Sequence, residues 1–270
     1  MGGPADIDFF RDFATELADA ARRETLPRFR ARAAVLSKAG AAFDPVTDAD
    51  REAERALRGL IAARYPDHGI IGEEFGAERE DAARRWVLDP VDGTRAFVCG
   101  VPSWTTLIAL EEGARPVLGL IDQPFTDERW IGVGGETVYR RAGAPLGACR
   151  TSGLRDLGAA RLSTTDPSRA GYFTAPEAAA FAKVMDAARL ARFSLDAYAY
   201  GLLALGELDL VIEASLKRHD FAALQPVVEG AGGVITGWRG EPLGADPRGR
   251  VIAAASPALH EAALEFLREV

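Results

Sequence analysis

The stretch on which the reading turns is Trp86-Val87-Leu88-Asp89-Pro90-Val91-Asp92-Gly93-Thr94. Its apolar start reads as a short strand, and the strand breaks off in two aspartates, Asp89 and Asp92. Pro90 fixes φ and removes a donor, while Gly93 permits a tight backbone path. Such a strand end can aim two carboxylates and a carbonyl at one point, and hard cations such as Mg²⁺ take oxygen ligands of that kind. The amides of Gly93 and Thr94 could then face an anion, especially if a helix starts there. The same residues also read as a plain strand followed by an Asp-Gly turn.

Before this segment, Ile7, Phe10, Phe13, Ala14, Leu17, Ala18 and Ala21 recur at three and four. That spacing predicts an amphipathic helix from Asp6 to about Glu24, interrupted or ended by Pro27. Thr47 or Asp48 can cap a second helix running to about Tyr65, and Ile70-Ile71 then lead into Gly72-Glu73-Glu74. The charged stretch from Glu74 to Arg85 lacks periodicity and reads either as a mobile flap or as a plain surface loop. After the central strand, Thr105–Leu110, Val117–Ile121, Arg129–Val133 and Thr137–Arg140 read as strands of an antiparallel section.

The last third alternates. Strands are expected near Arg161–Ser163, Leu190–Phe193, Leu208–Ile212, Val234–Ile235 and Val251–Ala254. Helices are expected over Ala175–Ala188, Tyr198–Leu205, Phe221–Gly230 and from Pro257 onward. Alternation at this spacing implies a second, αβ-layered sheet. The change of architecture falls near Arg150–Ala160, so residues 1–150 and 151–270 are expected as two tightly packed halves.

Composition sets the outer bounds. The chain has 270 residues, 48% hydrophobic, 27% charged and 8% aromatic, which excludes a disordered chain, a collagen-like chain or a disulfide scaffold. Lys+Arg total 32 against 40 Asp+Glu, a formal net charge of −8. That balance argues against broad binding to nucleic acid or an anionic membrane. It leaves an anionic substrate open, because a local cation can reverse the field inside a cleft. The longest uncharged run, Ala96–Leu110, is too short to span a bilayer. Cys99 and Cys149 are expected as two buried free thiols, with a bridge as the alternative; with no signal-peptide pattern, cytoplasmic residence is the default expectation.

The three histidines are scattered and the two cysteines far apart, so no zinc-type ligand set is present. Carboxylates at structural breakpoints remain. Glu73 and Glu74 follow a glycine, and Asp220 follows Lys217-Arg218-His219 at the start of an apolar helix, where it reads as a ligand or as an N-cap. Lys217 and Arg218 read as a solvated loop, and Trp104, Trp130 and Trp238 as packing residues.

Taken in order, Asp44-Pro45-Val46-Thr47-Asp48-Ala49-Asp50, Gly72-Glu73-Glu74 and Leu88-Asp89-Pro90-Val91-Asp92-Gly93-Thr94 resemble the successive motifs of the inositol monophosphatase family, and the resemblance covers essentially the whole chain. It implies an α+β fold, a layered αβαβα sandwich, and a Mg²⁺-dependent phosphomonoesterase. By the same resemblance, Glu73, Asp89, Asp92, Asp220 and the Val91 carbonyl hold two or three Mg²⁺ ions, with Mn²⁺ as a substitute. Glu73 and Thr94 position the attacking water. Asp50 is an outer acid, Asp44 and Thr47 are supports, and the Gly93 and Thr94 amides cradle phosphate. A homodimer is the family habit.

Within the family the chain is most similar to the histidinol-phosphatase branch, through segments such as Ile121-Asp122-Gln123-Pro124, Asp196-Ala197-Tyr198-Ala199-Tyr200-Gly201 and Asp209-Leu210-Val211-Ile212-Glu213. Two departures flank the expected substrate side. His219 stands where an aromatic Trp or Tyr often precedes the last metal aspartate, and Ser194-Leu195 stand where that branch has small glycines. Substrate choice falls to the second half. Asp196 and Glu213 would pair with an ammonium, or Glu213 with polyol hydroxyls. Asp196 also reads as an N-cap and Glu213 as a solvated strand end. Arg192 reads either as a leaving-group contact or as an exposed residue. The expected reaction is hydrolysis of L-histidinol phosphate. The alternatives are an inositol or sugar monophosphatase and a catalytically silent metal- or phosphate-binding module.

Overall fold

Alternation within the central strand sets the layers. Trp86 and Leu88 point to one face, Val87 to the other, and all three are buried, so both faces of this strand are covered. The structure, a computed structural model, describes residues 4–31, 36–37, 45–144, 147–168 and 172–270. In chain order the elements are α1 (Pro4–Thr25), β1 (Leu36–Ser37), β2 (Pro45–Val46), α2 (Asp48–Arg64), β3 (Gly69–Gly72), β4 (Gly76–Glu78), β5 (Arg84–Asp92), α3 (Thr94–Cys99), β6 (Thr105–Glu112), β7 (Arg115–Gln123), β8 (Glu128–Val133), β9 (Glu136–Arg141) and β10 (Gly147–Ala148). They continue with β11 (Arg161–Thr164), α4 (Ala175–Ala187), β12 (Leu190–Phe193), α5 (Tyr198–Ala204), β13 (Leu210–Glu213), α6 (Arg218–Phe221), α7 (Leu224–Gly230), β14 (Val234–Thr236), β15 (Val251–Ala254) and α8 (Pro257–Leu267).

Two large sheets result. The first has eight strands in the order β10-β9-β8-β7-β6-β5-β3-β4, antiparallel throughout except for the parallel pair β3–β5. The second has five strands in the order β12-β11-β13-β15-β14, with β11 parallel to both β12 and β13. Phe13 and Leu17 of α1 and Leu57 and Ile61 of α2 pack on the Trp86–Leu88 face of the first sheet. Its opposite face meets Tyr200 and Leu203 of α5 and Leu224 and Val227 of α7, which in turn pack on Val211 and Ala253 of the second sheet. Phe181 and Val184 of α4 and Leu259 and Leu264 of α8 cover the far side of that sheet. The stack is therefore helix, sheet, helix, sheet, helix: the expected layered αβαβα sandwich.

The middle helix layer sits unusually close to the first sheet. A Cβ at Gly119 on β7 would fall on the Ala223 carbonyl oxygen, and one at Gly132 on β8 would fall on that of Pro226. These glycines are what allow the start of α7, and the short α6 before it, to lie against the strands.

Some elements differ from the sequence expectation. The single helix expected over Phe221–Gly230 is two, α6 and α7. Pro226 accounts for the break: its ring and missing N–H prevent the helical bond to Ala222, four residues back. The 74–85 segment holds an edge strand, β4, paired antiparallel with β3 from Ile70↔Glu78 to Gly72↔Gly76. Both cysteines are free, but only Cys149 is buried; Cys99, at the end of α3, is exposed. Trp104, Trp130 and Trp238 are fully buried packing residues, as expected. Asp44 lies outside the described residues. Among the described residues no helix is long and apolar enough to cross a membrane.

Candidate metal-dependent active site

The parallel register of β3 and β5 does the first part of the assembly. Gly72 is paired with Leu88, so Glu73, just past the end of β3, lies beside Asp89 of β5. The Glu73 N–H donates to the Leu88 carbonyl at 3.2 Å. Glu54, buried on α2, holds the next turn: Oε2 accepts the Glu74 N–H at 2.8 Å and Oε1 the Phe75 N–H at 3.2 Å. Glu54 was not singled out from sequence. It lies on the α2 face that carries Asp50 and Leu57, and that periodicity was its only signal.

At the end of β5 the pairing with β6 shifts register between Asp89 and Asp92. The Val91 N–H donates to Asp89 Oδ1 at 3.1 Å, and the Thr106 hydroxyl donates to the Pro90 carbonyl at 2.8 Å. Gly93 takes φ +78° and α3 starts at Thr94. The Thr94 hydroxyl lies 3.1 Å from the Val91 carbonyl and 3.4 Å from Asp50 Oδ1, so one proton serves two acceptors. Asp50 is held from its own helix start, where Oδ2 accepts the Thr47 N–H at 2.8 Å and the Thr47 hydroxyl at 2.6 Å. Burial pushes the Asp50 carboxyl up to about 6 against those bonds.

Asp220 arrives from the other half of the chain on α6, its Oδ2 accepting the Lys217 N–H at 2.6 Å. One ligand atom each from Asp89, Asp92 and Asp220 lie within 4.8 Å of one another. Glu73 lines the same cavity, of about 420 Å³, and hydrogen-bonds Asp89. Burial, then the facing carboxylates of Glu73, Asp92 and Asp220, hold Asp89 well above the usual carboxylate range. Asp92 is raised by burial and by Asp196 and Asp220, and Asp220 chiefly by burial. Three crowded, largely desolvated carboxylates with no histidine or cysteine among them are a donor set suited to a hard divalent cation, whose charge would relieve their repulsion.

The substrate side completes the cavity. Asp92 Oδ2 accepts the Ala197 N–H at 2.7 Å, which ties the β5 end to the segment bearing Asp196. Asp196 adopts φ +50° and faces Gly93 so closely that a Cβ there would sit 2.9 Å from its Oδ2. Burial raises Asp196 to about 6, opposed by the Arg95 guanidinium. Glu213 ends β13 buried, not solvated. Its Oε1 accepts the Thr165 N–H at 2.8 Å and the Thr165 hydroxyl at 2.9 Å, yet burial pushes it up to about 8. Ser194, in the position where a glycine was expected, takes φ +64° and is held by N–H bonds to the Thr164 and Thr165 carbonyls.

Arg192 is not brought to the site. It is exposed on β12, an edge strand, and does not line the cavity. The arginine that does is Arg95, one residue past Thr94, with its guanidinium 5.0 Å from the Tyr172 ring centroid. Lys217 lines the cavity, and Arg218 is paired with Glu111, so neither belongs to a merely solvated loop. His219 also lines the cavity, its Nε2 3.5 Å from Asp220 Oδ1. Tyr200, on the first turn of α5, is buried against the cavity wall.

The profile of the inositol monophosphatase family matches residues 6–270. The chain belongs to that family. It is 40% identical over 271 residues to the bifunctional phosphatase IMPL2, chloroplastic, of Arabidopsis thaliana, spanning 97% of this chain and 76% of that protein. It is 35% identical over 277 residues to the histidinol-phosphatase of Streptomyces coelicolor, spanning 98% and 99% of the two. Among solved structures, an inositol monophosphatase from Zymomonas mobilis superposes with a TM-score of 0.84 at 42% identity, covering 100% of both chains. As a member of this family the chain is a phosphatase, with an acidic cluster that could bind metal.

Proposed function

We propose that this chain is a Mg²⁺-dependent phosphomonoesterase that hydrolyses L-histidinol phosphate to L-histidinol and phosphate, a step of histidine biosynthesis. The observation that carries the reading is the convergence of Asp89, Asp92 and Asp220 in one cavity that also holds two further acids, Asp196 and Glu213. Bound Mg²⁺ supplies the positive charge that lets a phosphate dianion approach those carboxylates. The chain's own groups do the rest. Glu73 accepts a proton from the attacking water, and Thr94, its hydroxyl proton engaged with Val91 and Asp50, offers that water an oxygen lone pair. The Gly93 and Thr94 amides face the phosphate. Asp196 pairs with an ammonium on the leaving group and the Glu213 carboxyl, pushed up to about 8 by burial, accepts one of its N–H bonds, which favours an amino-alcohol ester over a polyol ester.

The test compares kcat/KM for L-histidinol phosphate and myo-inositol 1-phosphate, with and without Mg²⁺. A preference above about tenfold for the amino-alcohol ester, about 1.4 kcal/mol of differential transition-state binding, supports the reading. A preference for the inositol ester replaces it with an inositol or sugar monophosphatase. No Mg²⁺-dependent phosphate release from either ester overturns the catalytic reading itself.

A further inference from the structure

Asp220 is the one carboxylate of the cluster that does not come from the end of β5, and α6, which carries it, spans only four residues. A helix that short has no rigidity of its own. The bond from the Lys217 N–H fixes the Asp220 carboxylate relative to its own turn, not relative to Asp89 and Asp92. Packing of Ala222 and Ala223 seats the end of α6 on the first sheet, and Arg218 adds a directional attachment to the strands. Its Nε donates to Glu111 Oε1 at 2.9 Å and its Nη2 to Oε2 at 2.6 Å, a two-point planar pair. The Glu111 side chain is only 2% exposed, and Arg85 lies 3.4 Å from its Oε2 on the other side. Arg85 and Glu111 are cross-strand partners on β5 and β6, and β5 is the strand that ends in Asp89 and Asp92.

We propose that the Arg218–Glu111 pair is a positioning device that fastens α6 to the β5–β6 ladder and thereby sets how tightly the carboxylate cluster holds a divalent cation. The proposal rests on the reading of Asp220 as a metal-holding carboxylate. Neither Arg218 nor Glu111 touches the reacting atoms. Their effect passes through the spacing between Asp220 and the two aspartates of β5. A carboxylate displaced by a fraction of an ångström leaves the cation with a poorer ligand set, while the chemistry, once the site is filled, is unchanged.

The test measures Mn²⁺ binding to the substrate-free protein by electron paramagnetic resonance titration, alongside thermal unfolding and steady-state kinetics. Arg218→Met and Glu111→Gln are each expected to weaken Mn²⁺ binding about tenfold, and the double variant no more than either alone, because both remove one shared interaction. At saturating Mn²⁺, kcat is expected to recover to within about threefold with the substrate KM unchanged, the split that a positioning role predicts. Arg218→Lys, which keeps the charge without the planar two-point contact, is expected to fall between, and it carries the test should Arg218→Met not fold. Arg161→Gln breaks the comparable Arg161–Asp209 pair at the far end of the second sheet and controls for lost stability alone; its Mn²⁺ affinity is expected to stay unchanged. Asp220→Asn separates the two layers of the argument. If it weakens Mn²⁺ binding while the Arg218 and Glu111 variants lower only the melting temperature, the positioning proposal is overturned and the ligand reading stands. If Asp220→Asn leaves Mn²⁺ affinity unchanged, both fall.

Discussion

Asp92→Asn removes one charge from the acidic cluster while leaving its hydrogen bonds available. The Asp92 Oδ2 accepts the Ala197 N–H at 2.7 Å and the Thr105 hydroxyl at 3.5 Å, and an amide oxygen can accept both. The ligand atoms of Asp89, Asp92 and Asp220 lie within 4.8 Å of one another. Two unit charges at that separation repel by about 3.5 kcal/mol at an effective dielectric constant of about 20. Closer approach would raise that figure for fully charged groups, but the raised pKa values mean that protons already take up part of the charge, so the net repulsion is smaller. Removing the charge therefore stabilises the metal-free protein at neutral pH by about 1–2 kcal/mol. At roughly 2–4 °C per kcal/mol for a chain of this size, the melting temperature rises by a few degrees. The gain shrinks as pH falls and is gone below the ordinary aspartate value of 3.8, where the carboxylates are protonated in both states. On the proposed Mg²⁺ reading the metal acts in the opposite sense. At about a hundred times its Kd it stabilises the parent protein by about 2.7 kcal/mol, roughly 5–10 °C, and the variant forgoes most of this. The assay is thermal unfolding in EDTA and in Mg²⁺, with phosphate release measured in parallel. The expected variant melts above the parent in EDTA, gains little from Mg²⁺ and turns over at least about a hundredfold more slowly. A lower melting temperature in EDTA, a full Mg²⁺ shift, or near-normal turnover at saturating Mg²⁺ would refute the reasoning.

Three further outcomes follow from other parts of the structure. Glu213 ionises near 4.5 when unfolded and at about 8 when folded, so folding takes up a proton and stability falls as pH rises between those values. Glu213→Gln removes that dependence, so its melting temperature should gain on the parent's from pH 5 to pH 8.5; parallel curves would show that the carboxyl is not held neutral. Asp196→Asn keeps a residue that tolerates φ +50° but deletes the charge. Its kcat/KM should fall about tenfold or more on an ammonium-bearing ester and less than about threefold on myo-inositol 1-phosphate, and an equal loss on both would remove Asp196 from leaving-group recognition. Gly119→Ala places a methyl on the Ala223 carbonyl, so urea unfolding should show a loss of at least about 2 kcal/mol; a neutral result would contradict the close seating of the middle helix layer.

The local chemistry of this site is written in consecutive residues. Leu88 through Thr94 specify a buried strand, a proline-constrained exit, a left-handed glycine and a helix start, all interactions within a few positions, and the two aspartates they aim were readable for that reason. Thr47 was legible as a helix cap on the same grounds, while Asp50 came from the family motif; the structure joins the two in a capping box. The second, αβ-layered sheet followed from strand–helix alternation and the full αβαβα stack from the family resemblance; in the structure the alternating apolar faces of β5 are covered on both sides. What periodicity could not supply is which strands lie next to one another. Glu73 reaches Asp89 only through the parallel register of β3 on β5, and Asp220 reaches both only because Gly119 and Gly132 let the α6–α7 segment rest on the first sheet. Arginines illustrate the same limit. Arg192 and Arg95 are equally plausible by composition, but an exposed edge strand carries one away from the cavity and the first turn of α3 directs the other into it. Glu111 offered no signal at all, because its partners, Arg85 and Arg218, lie 26 and 107 positions away. Residue type, spacing and backbone preference act over a few ångströms along the chain, so they could point to Asp89 and Asp92 as candidate ligands, and the family resemblance added the rest of the expected set. Register, close backbone approach and long-range ion pairs arise only when distant segments pack, and these placed the groups around one cavity and put an acid there, Glu213, whose carboxyl burial pushes up to about 8.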